Sequence, residues 1–318
     1  MSAQRVSDDK LIELFHLYGS PEKISKATGL STRAIYTRRR KIEEKRGITL
    51  ISHQSHNSAE ALKLDRSVRT MAPKKLDFEC PNGTVVVASD CHYWPGEPSV
   101  AHQALVRVIK KLKPKAVVLN GDVLDGARIS RHDPLYGIDP PSVKQELDVC
   151  MERLGEIEKA SRSALIWLYG NHDTRLWRYI RVNSPEVSGL PGTDIFDYFP
   201  GWRHGYLLEI NKDTIIKHRW HNGIHATYNN TLKSGRNIVT GHLHKLQITP
   251  WGDYDGRRYG VDSGTLAEPD HESFAYLEGN PVPWASGFVV LTFKDGKLLH
   301  PEICEVIAGK AYFRGEEV

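Results

Sequence analysis

Val117-Val118-Leu119-Asn120-Gly121-Asp122-Val123-Leu124-Asp125 opens as an apolar, β-branched run and closes in Gly-Asp. The run reads as a strand buried on both faces, as in a parallel sheet covered by other layers. At Gly121 the chain turns, and Asp122 is delivered at the strand's C-terminal tip, where open α/β sheets bind ligands. Two other apolar runs end in the same way: residues 84–89 lead into Asp90-Cys91-His92, and residues 164–169 into Gly170-Asn171-His172-Asp173. A later short run, residues 237–240, ends at Gly241-His242-Leu243-His244.

The segments between these runs set the fold class. Residues 98–112 and 141–163 have helical spacing, so strand and helix alternate in a βαβ rhythm. Residues 75–80 alternate as a strand, and Pro81-Asn82-Gly83 predicts a hairpin turn back into 84–89. Beyond Asn171 the chain reads as a helix and irregular segments (174–205), a hairpin (206–210 with 214–217), and strands at 247–251, 258–264, 286–293 and 302–307. The expected class is α/β: two mixed β-sheets packed as a sandwich flanked by helices, over 75–318.

A small all-α domain precedes it over 1–46. Residues 8–18 carry apolar groups at helical spacing, Ser20 and Pro21 start a second helix, Gly29 suits a tight turn, and Ser31 can cap a third. Ile35 and Ile42 would face its core, with Arg33, Arg38, Arg39 and Arg40 outward. The layout resembles a helix-turn-helix, whose second helix enters the DNA major groove. A helical dimerisation or docking domain with a solvated basic face is the plainer alternative. Residues 47–74, polar and without periodicity, read as a linker, with a short helix near 58–66.

Bulk properties narrow the setting. The chain has 318 residues, 40% of them hydrophobic and 26% charged. No apolar run approaches the roughly 20 residues of a membrane span, no membrane partner is expected, and the polar N-terminus shows no secretory signal. Four cysteines without a CxxC pair favour a reducing cytoplasm. Residues 1–50 hold 11 Lys+Arg against 6 Asp+Glu, whereas the whole chain is only +4. The basic excess therefore lies in the first domain, and the body is close to neutral.

Carboxylates and imidazoles at strand tips, with no thiolate cluster, suit Mn, Fe or Zn in a mixed N/O shell. In an extended segment, Asp-x-His and His-x-His would each put two ligands on one face. Asp-x-His, Gly-Asp-x-x-Asp, Gly-Asn-His-Asp and Gly-His-x-His, in this order and each after an apolar strand, resemble the calcineurin-like metallophosphoesterase superfamily over roughly residues 80–310. The layout is similar to phage and prophage members with a helix-turn-helix in front. The resemblance implies Asp90, His92, Asp122 and His244 on one divalent ion. It implies Asp122, Asn171, His242 and one further histidine on a second, with Asp122 bridging. Mn²⁺ is the expected metal, with Fe or Zn as alternatives. His218, next to the strand at 214–216, is preferred as the further ligand over His221, and His225 comes last; Arg219 stands where the family usually has glycine. His172 would protonate the leaving group and Asp173 would orient it, while a metal-activated hydroxide attacks phosphorus. Arg128, Arg131 and His132 would reach a substrate phosphate, or else form an ordinary exposed loop. The resulting expectation is a two-metal phosphodiesterase acting on DNA. The rivals are a phosphomonoesterase or protein phosphatase whose first domain mediates homo-oligomerisation or docking, and a DNA-binding or phage assembly protein with a vestigial hydrolase domain.

Overall fold

A computed structural model describes residues 6–18, 20–48, 50, 75–131 and 137–318. The chain divides into two units, Met1–Ala72 and Pro73–Val318. The expected helix near 58–66, most of the proposed linker, and His132 lie outside the described residues.

In the first unit, helices α1 (Asp8–Tyr18), α2 (Pro21–Thr28) and α3 (Thr32–Arg46) surround Leu11, Phe15, Ile24, Ile35, Ile42 and Leu50. Ser20 accepts the Lys23 N–H and Ser31 accepts the Ala34 N–H, satisfying first-turn donors that a helix cannot pair internally. Gly29, at φ 71°, ends α2 in the left-handed conformation that glycine adopts without strain. Arg38 is tied to the Val6 carbonyl and the Asp8 carboxylate, and Arg39 to Glu43 and the Phe15 ring. These two guanidiniums therefore brace the unit, in place of the outward role expected of them. The exposed row on α3 is Arg33, Tyr36, Thr37, Arg40 and Lys41.

The second unit is a sandwich of two sheets. The larger has the order β15 (Glu316–Glu317), β14 (Lys310–Phe313), β13 (Glu302–Ile307), β11 (Gly287–Lys294), β2 (Gly83–Ala88), β3 (Ala116–Leu119), β4 (Ala164–Leu168), β5 (Arg203–Gly205), with β12 (Lys297–Leu298) on β11. The smaller has the order β1 (Lys75–Phe78), β6 (Leu207–Ile210), β7 (Thr214–Ile216), β8 (Asn237–Thr240), β10 (Gly256–Asp262), β9 (Gln247–Asp253). Strands β2, β3, β4 and β5 pair in parallel. Side-chain alternation along β2 explains the layering. Val86 and Ala88 pack with Leu105, Val108, Leu154 and Ile157 of α4 (Val100–Leu112) and α5 (Val143–Ala160). Val85 and Val87 face the other way, onto Leu208, Ile216, Val239 and Val261 of the smaller sheet. Both faces are thus covered, as the continuous valine runs require. Ser142 and Gln145 form a reciprocal capping box that starts α5.

The expected hairpin at 81–83 is not formed. Strand β1 pairs in parallel with β6 in the smaller sheet, whereas β2 lies in the larger one. Pro81-Asn82-Gly83 therefore carries the chain from one sheet to the other. Pro81-Asn82-Gly83 marks a change of direction but not which strand each flanking run pairs with, so local pattern could not assign their partners.

Candidate metal centre

The parallel strands end on one side of the sandwich, and their tips converge. Asp90, His92 and His244 present ligand atoms within 4.8 Å of one another, as do Asp122, His218 and His242. Asp90, Asp122, His92, His218 and His244 are buried. Asn171 adjoins them: His172, next in sequence, donates its backbone N–H to Asp122 Oδ1 at 2.8 Å. His218, preferred from the sequence, joins the cluster. His221 lies outside both groups, its ring stacked on Trp220, and His225 is exposed at the start of the helix Ala226–Ser234.

The backbone delivers these side chains by turning, not by extension. Asp90, His92, Asp122, His242 and His244 have φ of 52°, 41°, 52°, 72° and 59°. Left-handed non-glycine residues are strained, and they collect at functional sites. Strand alternation therefore does not account for Asp-x-His and His-x-His: the pairs converge because left-handed residues alternate, not because the segments are extended. Glycine makes the close approaches possible. A Cβ at Gly170 would stand 2.0 Å from Asp122 Oδ1, and one at Gly241 2.6 Å from Asp90 Oδ2.

The donor set fits divalent metal. Among the described residues, His92 Nε2 and His218 Nε2 within the cluster, and His221 Nε2 outside it, are buried without a hydrogen-bond partner, a costly arrangement unless something is bound there; His244 turns Nε2 to Asp90 Oδ1 at 3.1 Å and leaves Nδ1 without one. Two of the partner nitrogens are engaged: His92 Nδ1 with Asp125 Oδ1 at 2.8 Å, and His218 Nδ1 with the Asn120 carbonyl at 2.7 Å. This is the outer arrangement that fixes a metal-ligating imidazole and leaves its other nitrogen bare. Charge agrees. Burial would lower His218, but Asp122 and Asp90 hold it up, at about 10. Burial would raise Asp90, yet His244 and His218 bring it down to about 2. Burial, and then the His218 charge, push His242 down to about 4.

Asp173 does not orient His172. It is fully buried and accepts the backbone N–H groups of Gly170, Asp122 and Val123 at 2.8 to 2.9 Å, Leu124 N–H at 3.3 Å, and Trp167 Nε1 at 3.1 Å. It therefore locks the Asp122 turn to the Gly170 turn. Burial and the Asp122 carboxylate push Asp173 up to about 6, while the Gly170 N–H and the Trp167 indole pull against them. The orienting role falls to Asp125, to which the motifs assign none. The His172 Nδ1 donates to the Asp125 carbonyl at 2.8 Å and lies 3.2 Å from its Oδ1. Burial would raise Asp125, but the His172 and His92 N–H groups hold it below the usual carboxylate range. The spacing Asp-x-x-Asp is the sequence signal that points to it.

Arg128 does not reach the centre. It binds the Pro140 carbonyl and the Asp139 carboxylate, closing its own loop, and Arg131 is exposed on that loop. Beside the same loop, Glu146 accepts the Gly126 N–H at 2.5 Å and the Ala127 N–H at 3.3 Å. Burial, and then Asp125, push Glu146 from 4.5 up to about 7. The native state therefore holds this proton more tightly than the unfolded chain does. Its stabilisation is complete below about 4.5 and is lost as pH rises through 7, on the order of 3 kcal/mol in all. Between pH 5 and 8, wild-type Tm should fall more steeply than that of Glu146→Gln; parallel curves would refute the shift.

The fold and this centre define a class, that of metal-dependent phosphoester hydrolases. The calcineurin-like phosphoesterase family model matches residues 83–263, and the chain belongs to that family. It is similar to the gene 54 protein of Mycobacterium phage L5, 26% identical over 246 residues, covering 71% of this chain and 94% of the relative. Among solved structures it is similar to Vps29 of Entamoeba histolytica. A single mutant of that protein has a TM-score of 0.41 and 14% identity, covering 74% of this chain and 99% of that one. The wild type complexed with zinc has a TM-score of 0.41 and 15% identity, covering 74% and 98%.

Proposed function

We propose that this hydrolase is a phosphodiesterase that cuts DNA, with two divalent ions, preferably Mn²⁺, held by Asp90, His92, Asp122, Asn171, His218, His242 and His244. The observation that carries the two-ion reading is Asp122. Its Oδ2 is 3.1 Å from His218 Nε2 in one ligand group, and it is joined to the other through the Asp90-to-His92 turn, where the His92 N–H donates to the Asp122 carbonyl at 3.0 Å. Bound ions would supply Lewis acidity at the phosphoryl oxygens and acidify water. The protein's own contribution is a positioned acid. Asp125 holds Nδ1 of His172, leaving Nε2 toward the centre, 3.9 Å from Asp122 Oδ2. There it protonates the departing oxygen. Burial opposes its charge, but Asp122 and then Asp125 raise its pKa above the ordinary 6.5.

His172→Ala should keep both ions and lose roughly 10²- to 10⁴-fold in kcat. Metal content together with turnover checks this; normal turnover would refute the acid role. The substrate assignment is supported by the exposed α3 row of Arg33, Tyr36, Thr37, Arg40 and Lys41, which suits phosphate contact. The deciding assay offers the Mn²⁺-loaded protein a chromogenic phosphodiester, a phosphomonoester, and single- and double-stranded DNA. Activity confined to the monoester would overturn the proposal. Charge reversal at Arg33 and Arg40 should weaken DNA binding and reduce its log–log salt slope by about two; unchanged affinity would detach the first unit from the substrate.

A further inference from the structure

Two arginines that no motif contains stand at the rim of the centre: Arg175 and Arg219. Arg175, at the start of α6 (Arg175–Asn183), donates from Nη1 to the Asp125 carbonyl at 2.8 Å and from Nη2 to His172 Nε2 at 3.1 Å. It lies against Gly126, whose absent Cβ would meet its Cδ at 3.1 Å. One edge of the guanidinium is thus anchored to the turn that holds the catalytic histidine, and its side chain is only 18% exposed. Arg219 comes from another strand tip, that of β7. It is exposed, and its Nη1 is 3.5 Å from Asn171 Oδ1. Its loop is fixed: Trp220 stacks on His221, Lys217 Nζ sits 5.3 Å over the Trp220 ring, and the His221 N–H is held by Asn230 Oδ1 at 3.0 Å.

We propose that these residues form two phosphate subsites with different tasks. Arg175 takes a non-bridging oxygen of the scissile phosphate, and Arg219 takes the neighbouring phosphate of a polynucleotide strand. Guanidinium donors match phosphate oxygens in pairs, which a point charge does not. In Arg175 the Nη2–H that rests on His172 Nε2 transfers its hydrogen bond to the incoming oxygen. That exchange leaves Nε2 free to take up a proton from solvent, which it then passes to the departing oxygen. Arg219 has one long bond to give up and lies beyond the ligand ring, so a second phosphate is what it can meet. The second subsite rests on the phosphodiesterase reading; the first requires only a phosphoester substrate.

The test compares bis(p-nitrophenyl) phosphate, with one phosphate, and the oligonucleotide dT8, in the metal-loaded full chain, with metal content measured for every variant. Arg175→Ala should lower kcat/KM about 100-fold on both substrates at full metal content, and raise the inhibition constant of inorganic phosphate. Arg219→Ala should raise KM for dT8 at least tenfold more than KM for the small diester, and reduce the salt slope of dT8 binding by about 0.7. Arg219→Lys should recover the salt slope but only part of the KM. Equal effects of Arg219→Ala on both substrates, or loss of one ion, would make Arg219 a support for Asn171 and overturn the second subsite. Unchanged phosphate inhibition in Arg175→Ala would overturn the first. Failure of the wild type to cut dT8 would sink the nucleic-acid reading and the second subsite with it, while the first is still judged on the small diester.

Discussion

Asp122→Asn is expected to remove both ions together and to lower kcat/KM by about 1000-fold or more, equivalent to about 4 kcal/mol of transition-state stabilisation. The substitution keeps shape and volume. Its Oδ1 can still accept the His172 N–H, now at 2.8 Å, so the fold has no steric reason to change. What it loses is charge. Asp122 faces His218 Nε2 at 3.1 Å, and an amide N–H there would occupy the lone pair that metal binding needs. Asp122 is grouped with His218 and His242, and its carbonyl accepts the His92 N–H of the other group at 3.0 Å, so loss of its charge is expected to weaken both. Metal stoichiometry and turnover on a chromogenic diester check the expectation. Retention of one tightly held ion would show that Asp122 serves a single site.

The second large effect is on stability. Asp173→Ala should cost about 4 kcal/mol or more, although Asp173 is not placed among the metal ligands. Removing its carboxylate strands the N–H groups of Gly170, Asp122 and Val123 and the Trp167 indole N–H, all now satisfied by Asp173. Each buried donor left unpaired costs about 1–3 kcal/mol, partly relieved by relaxation or water. Both turns that carry ligands would loosen at once, so metal affinity should fall with stability. Urea unfolding with and without Mn²⁺ measures this. A loss under about 1 kcal/mol would return Asp173 to the role of a mere neighbour of His172.

The difference between the two aspartates marks how far the sequence could be read. Asp122 was legible because it follows an apolar run, and hydrophobic period is a local property. The same holds for the strands through 84–89, 116–120, 164–169 and 237–240, for the helix cap at Ser31, and for the Gly that precedes Asp122, Asn171 and His242. The family resemblance assigns Asp173 to orient His172, whereas its carboxylate is taken up by N–H donors of the two turns and Trp167. Its five donors come from Trp167, Gly170 and residues 122–124. Likewise, the linkage of His92 to Asp125 spans 33 residues, and the interaction of Arg219 with Asn171 spans 48.

By itself, then, the sequence determined the βαβ core, the order of the strand-tip motifs, and the chemical character of the ligands, because each follows from nearest-neighbour spacing and side-chain type. The tertiary structure alone decided that β1 joins the other sheet, that ligand segments turn through left-handed residues, that Asp125 and not Asp173 holds His172, and that Arg175 and Arg219 reach the centre where Arg128 does not. The physical reason is common to all four. Hydrogen-bond partners and close approaches between turns are set by where strands end in space, and no periodicity along the chain encodes which turn will face which.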